Sequence, residues 1–267
     1  MLPVLDELKD TYGLKRVVVV ADKGLNTSTN IALNVAKGNG FIFSQSIRGS
    51  KSTKELRDWV CSDAGYAEAG EDGFKMKSRQ DTKTIHLKAD DCEDGYAHDV
   101  DVETKTVAFW SRKYAERARH EREETIRRAR ELVSNPAAYS SATHYGAAKY
   151  VEGLHVDTNT GELVDTAKVL AFNEAKLAAD EACDGYYCII TSEVNMSDND
   201  IVDTYRGLWR IEESFKITKS CLAARPVYVR TPKHIEAHFL TCYIALSIVR
   251  LMQLATKDNH LCSVKYF

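Results

Sequence analysis

Residues 16–46 read RVVVVADKGLNTSTNIALNVAKGNGFIFSQS, and this stretch decides the fold. The run Val17, Val18, Val19, Val20 is continuously apolar, which predicts a strand buried on both faces of a helix-covered sheet. The run stops at Asp22, and Gly24 permits a tight turn. Residues 26–40 then supply a capping Thr or Ser, an apolar stripe of Ile31, Leu33, Val35 and Ala36, and a glycine stop. FIFSQS at 41–46 predicts the second strand. Strand, helix and strand within about 30 residues make a βαβ unit, so the fold class is α/β.

Working outward, residues 4–12 predict a short amphipathic helix carrying Val4, Leu5 and Leu8. Residues 65–110 are rich in Gly and Asp, and runs such as TIHLKA (84–89) and TKTVAFW (104–110) predict antiparallel strands. Residues 111–135 predict a long helix, polar almost all round and laced with acid–base pairs four apart, which reads as a solvated helix ended by Asn135-Pro136. A hairpin around DTNTGE is predicted within 149–165, and 168–184 fits a strand followed by a helix. GYYCIITS (185–192) returns to a buried strand, and Ser197 is the expected cap of the next helix. RPVYVRTP (225–232) reads as extended, and Thr231-Pro232 opens a helix over 233–253 whose apolar circumference predicts burial.

The totals exclude several classes. With 28% charged and 44% hydrophobic residues, the 267-residue chain has the composition of a globular protein, not a disordered one. A net charge of −3 announces no nucleic-acid binder, yet 205–250 carries 8 Lys/Arg against 3 acids while 55–104 carries 6 against 14. The seven cysteines include no C-x-x-C pair, so they read as small buried thiols in a reducing compartment. No signal peptide is visible, and the apolar-leaning run 237–249 is too short to span a bilayer, so a cytoplasmic protein is expected.

One helix raises a question of chemistry. In DTYRGLWRIEESFKITKS (203–220), a uniform wheel of about 100° per residue puts Leu208, Ile211, Phe215, Thr218 and Leu222 on the side expected to face the sheet. Tyr205, Glu212 and Lys219, seven apart, form a column at the border of that side. Glu212 is then either a helix-edge partner of Lys216 or Lys219, or a metal ligand. A second carboxylate would be Asp22, because sites in open α/β sheets gather at strand carboxyl ends; its ordinary reading is an Asp in a turn. Two such acids brought together need a divalent cation, and Mg²⁺ suits oxygen ligands.

These residues carry a resemblance. Tyr205, Leu208, Glu212 and Lys219 match the Y-x2-R-x3-E-x6-K signature of DDE transposases of the insertion-sequence-4 type, with Leu208 in the arginine position. VVVVADKGLNTSTNI resembles the segment holding that family's second acid, V-A-D-x-G, which falls on Asp22. FWSRKYAERARHEREE, RPVYVRT and HIEAHFLTCYIAL extend the likeness from about residue 4 to about residue 250. It implies a ribonuclease-H-like mixed sheet flanked by helices, with residues 1–50 and 185–267 as two parts of the catalytic core. Residues 51–184 would be a β-rich and helical insertion holding the long polar helix.

The implied activity is Mg²⁺-dependent cleavage and transfer of DNA strands, with Asp22 and Glu212 as catalytic metal ligands in a two-metal site. Tyr205, Lys219 and Lys216 would contact the phosphates of double-stranded DNA, at transposon ends and target. A homodimer, no membrane, and a bacterial cytoplasm with nucleoid association are further expectations. The family's first Asp lies on an earlier strand, and Asp6 and Asp10 fall on the predicted helix instead. The expectation is therefore an N-terminally incomplete chain, inactive alone, with a non-catalytic DNA-binding remnant or regulator as the alternative.

Overall fold

The computed structural model describes residues 2–49, 52–70, 73–91, 95–157 and 159–256. The chain divides into two compact units, one ending at Val202 and the other beginning at Asp203.

The first unit opens with α1 (Leu2–Tyr12), then β1 (Val18–Ala21), α2 (Ser28–Ala36) and β2 (Gly40–Ser44). β1 and β2 pair in parallel, Val19 opposite Phe41, which is the βαβ unit read from the sequence. Thr27 caps α2 by accepting from the Asn30 amide. After α3 (Lys54–Cys61) and β3 (Ala67–Glu68) come two 14-residue strands, β4 (Phe74–Leu87) and β5 (His98–Ser111). The order continues with α4 (Arg112–Ser134), α5 (Ser141–Ala148), β6 (Val151–Val156), β7 (Leu163–Phe172), α6 (Glu174–Glu181), β8 (Tyr186–Thr191) and α7 (Asp198–Arg206), whose residues from Asp203 on belong to the second unit.

One sheet collects six strands in the order β1-β2-β8-β5-β4-β3, and β6 pairs with β7 separately. Among the described residues only β1 and β2 pair in parallel; β8, β5, β4 and β3 extend the sheet antiparallel. Residues two apart share a face, so Phe41, Phe43, Ile190 and Val102 pack together under Ile31 of α2. Further along the same face, Ala108 and Cys188 pack with Val60 of α3, Ile47 and Cys183. The opposite face holds Ile42, Val107 and Ile189, each at most 1% exposed. Gly185 makes the turn into β8 with a φ of 78°, and a Cβ there would lie 2.7 Å from the Ser111 carbonyl oxygen.

In this unit two expectations of burial need correcting. The valine strand was predicted to be buried on both faces, but β1 is the edge strand, and Val18, Val19 and Val20 are half-buried. An edge strand is flanked on one side only, so its side chains keep contact with solvent. The long polar helix, by contrast, is not solvated all round. Ala115, Arg122, Ala129 and Leu132 of α4 are buried, and Ala129 and Leu132 join a core with Tyr150, Val151 and Leu154. Arg122 is held bidentately by Asp184, Nη1 donating to Oδ2 at 2.8 Å and Nη2 to Oδ1. The pairs Arg117–Glu121 and Arg128–Glu124 are on the exposed face, as the sequence reading had it.

A second carboxylate, Asp180, organises the neighbouring turn. Burial pushes its carboxyl up, but hydrogen bonds from Lys149, Tyr150 and Lys176 outweigh this and hold it down at about 2.

In the second unit, α8 (Trp209–Lys216) runs into a π turn, Ile217–Cys221, and α9 (Pro232–Thr256) follows. The predicted burial of the last helix is not seen: Cys242 and Gln253 are its buried residues, while Leu240, Tyr243, Ile248 and Leu251 are more than half exposed. At 25 residues α9 also exceeds the 237–249 run, and by length and composition alone it could cross a membrane. The core helix of a soluble protein passes the same test. Of the cysteines, Cys183, Cys188 and Cys242 are buried as expected, Cys221 is exposed, and Cys92 and Cys262 lie outside the described residues.

Candidate active site and nucleic-acid interface

Asp22 follows directly on β1, at the carboxyl end of the parallel pair. Its Oδ1 accepts from the Gly24 amide at 2.9 Å, closing a short side-chain turn. This accounts for the glycine two residues on: a Cβ at position 24 would sit 3.0 Å from that same oxygen and push the carboxylate aside. The other oxygen, Oδ2, accepts no hydrogen bond among the described residues, and the side chain is exposed. A hard carboxylate oxygen is thus presented to solvent at the strand end.

The rim beside Asp22 was not singled out from the sequence. Lys23, Asn26, Gln45, Ser46 and Arg48, with two glycines, line a cleft of about 470 Å³. The Asn26 amide nitrogen donates to the Ser44 carbonyl and to Gln45 Oε1, both at 2.9 Å, tying the loop after β1 to the end of β2. Lys23 belongs to the motif itself, so the signal was in plain view; Arg48 reaches the cleft only through the fold.

The Glu212 helix departs from the ideal wheel in three ways. The predicted continuous helix is broken at Gly207 and Leu208, where Leu208 N–H donates to the carbonyl three residues back, as does Arg210 N–H. The π turn then rotates Lys219 off the column that a uniform 100° step places over Glu212. Ile211 and Phe215, expected to be buried, are 53% and 59% exposed. Within this unit the acid engaged in packing is Glu213, which accepts from Arg250 of α9 at 2.9 Å. Arg250 also donates to Ser214 Oγ and the Arg210 carbonyl. Of the two neighbouring acids, Glu213 is therefore the one with a cationic partner across the helix edge.

Glu212 is exposed, and its carboxylate takes no ion pair or hydrogen bond among the described residues, so the salt bridge to Lys216 or Lys219 is not formed. Lys219 is exposed with its ammonium 5.6 Å from the Phe215 ring, and Tyr205 on α7 is half-buried. Lys216 ends α8, also exposed. Asp6 and Asp10 are both on α1, and Asp6 accepts from Lys37 at 2.8 Å.

Comparison with known families decides the identity: the model of the transposase DDE domain matches residues 1–248. The chain belongs to the transposase DDE domain family. No curated protein and no solved structure matches it. For this transposase domain, membership implies a DNA substrate and the divalent-metal chemistry general to the family. Its mixed six-stranded sheet flanked by helices is compatible with a ribonuclease-H-like transposase. Among the described residues no cluster of three His, Cys, Asp or Glu side chains could by itself hold a metal ion. Asp22 and Glu212, in separate units, each offer free carboxylate oxygen, the donor type Mg²⁺ prefers.

Proposed function

We propose that this chain is the catalytic region of a DNA transposase of the insertion-sequence-4 type, with Asp22 and Glu212 as two acids of its metal-binding set. The observation that carries the reading is the family match over residues 1–248 together with an unpartnered Asp22 oxygen at the end of β1. Mg²⁺, when bound, would polarise the phosphodiester and activate the attacking oxygen. The chain's own residues supply the rest. Asp22 is oriented by the Gly24 amide, and Glu212 is left free because Glu213 takes the packing role. Tyr205, Lys216 and Lys219 would hold the DNA backbone, the lysines as compact point charges. Neither Asp6, paired with Lys37, nor Asp10, on α1, takes the place of the family's first Asp.

The test is duplex-DNA binding by the purified chain, followed by incubation with Mg²⁺. Salt-sensitive binding supports the reading, and Mg²⁺-dependent cleavage that survives both Asp22→Asn and Glu212→Gln refutes the assignment of these acids to the metal-binding set. No DNA binding at low salt refutes the reading as a whole.

A further inference from the structure

Resting on the reading of this chain as a DNA-acting transposase domain, we propose that the cleft beside Asp22 is a binding site for the phosphodiester backbone of DNA. Lys23 and Arg48 are its phosphate contacts. Every residue of this cleft belongs to the first unit, whereas Tyr205, Lys216 and Lys219 belong to the second.

The charge balance of the cleft is the first argument. Among the described residues its lining contains two cations, three neutral hydrogen-bonding side chains and two glycines, and no acid. This is a locally positive surface on a chain whose net charge is −3. Lys23 is exposed, and among the described residues its ammonium has no partner. Arg48 does donate to Asp184, at 3.2 Å, but Asp184 is simultaneously gripped by Arg122. Two guanidinium charges share one carboxylate, so positive charge remains at the cleft wall.

Rigidity is the second argument. Arg48 also donates to the Asp180 carbonyl, and its own carbonyl accepts from Ser46 Oγ at 2.7 Å. With Asn26 bridging to Ser44 and Gln45, the cleft is held by β2 on one side and by the loop after β1 on the other. A pre-set cationic rim loses little freedom when it meets a polyanion.

Position is the third. The cleft opens at the carboxyl ends of the parallel pair, beside the acid that the transposase reading makes catalytic. A phosphate lying against Lys23 would place the neighbouring stretch of backbone next to Asp22, which precedes Lys23 in the chain. The lysine and arginine would then offset the repulsion between phosphate and carboxylate.

The experiment uses the full chain and a fluorescein-labelled duplex of arbitrary sequence, with anisotropy followed from about 50 to about 200 mM salt. Lys23→Glu is expected to weaken binding about tenfold at the low end, and Lys23→Ala to lower the log–log salt slope by about 1. Lys23→Arg keeps the wild-type slope. Lys15→Glu, an identical charge change at an exposed residue ahead of the other end of β1, leaves affinity nearly unaltered. If Lys23→Glu and Lys15→Glu behave alike while the wild type binds, the cleft assignment is overturned and the transposase reading stands. A wild type that binds no DNA at all overturns both. Displacement by inorganic phosphate as effective as by unlabelled DNA, at equal phosphate concentration, would make this a free-phosphate pocket and overturn the DNA assignment.

Discussion

Replacing Arg122 by Met tests how the polar helix α4 is fastened to the sheet. The Arg122 and Asp184 side chains are 8% and 10% exposed, and the guanidinium meets the carboxylate bidentately. Removing one member of a buried pair typically costs 3–5 kcal/mol, because the survivor keeps its charge without its partner. Here Arg48, 46% exposed and 3.2 Å away, remains to pair with Asp184 and lowers the expected loss to about 2–4 kcal/mol. For a unit of about 200 residues that is a fall in Tm of roughly 5–15 °C. Urea unfolding followed by circular dichroism gives the free energy, and the double variant with Asp184→Asn closes the cycle. The charge left behind is then gone, so the double variant should be less destabilised than the two single losses summed, by about 1–3 kcal/mol. A loss below about 1 kcal/mol for Arg122→Met, or strict additivity, would refute the idea that this pair fastens α4.

Three further outcomes follow from the same geometry. Asp180 is held below its ordinary range in the folded state, so the stability it contributes is full above pH ~4 and lost as pH falls toward 2. Asp180→Asn should therefore flatten that limb of the pH–stability curve, worth about 2 kcal/mol, and an unchanged acid limb would contradict it. Glu213→Gln should lower Tm by weakening the contact to Arg250, roughly 1 kcal/mol, whereas Glu212→Gln should leave thermal unfolding unchanged because its carboxylate holds nothing. The reverse order in a melting assay would mean that Glu212, not Glu213, fastens this helix. Phe43→Ala, at a fully buried position whose ring centroid lies 5.0 Å from that of Phe41, should cost about 3–5 kcal/mol in urea unfolding. A cost under 1 kcal/mol would mean that this layer is not the core.

The sequence by itself determined what is local. Four valines, a capped helix and FIFSQS specify a parallel βαβ unit because period, cap and glycine stop act over a few residues. Ser197 caps α7 through the Asp200 amide, and Asn135-Pro136 ends α4, for the same reason. Asp22 at a strand end was legible too, since position along a strand is a property of the chain. What only the tertiary structure decided is which surfaces meet. That β1 is an edge strand depends on where β8 and β5 insert, more than a hundred residues away in the case of β8. Arg122 looked like one more solvated arginine until Asp184, 62 residues on, closed over it. Glu212 and Glu213 differ by about 100° on a wheel, too little to rank them once a turn at Gly207 and a π turn at 217–221 reset the phase. It is the packing of α9, through Arg250, that occupies Glu213 and leaves Glu212 free.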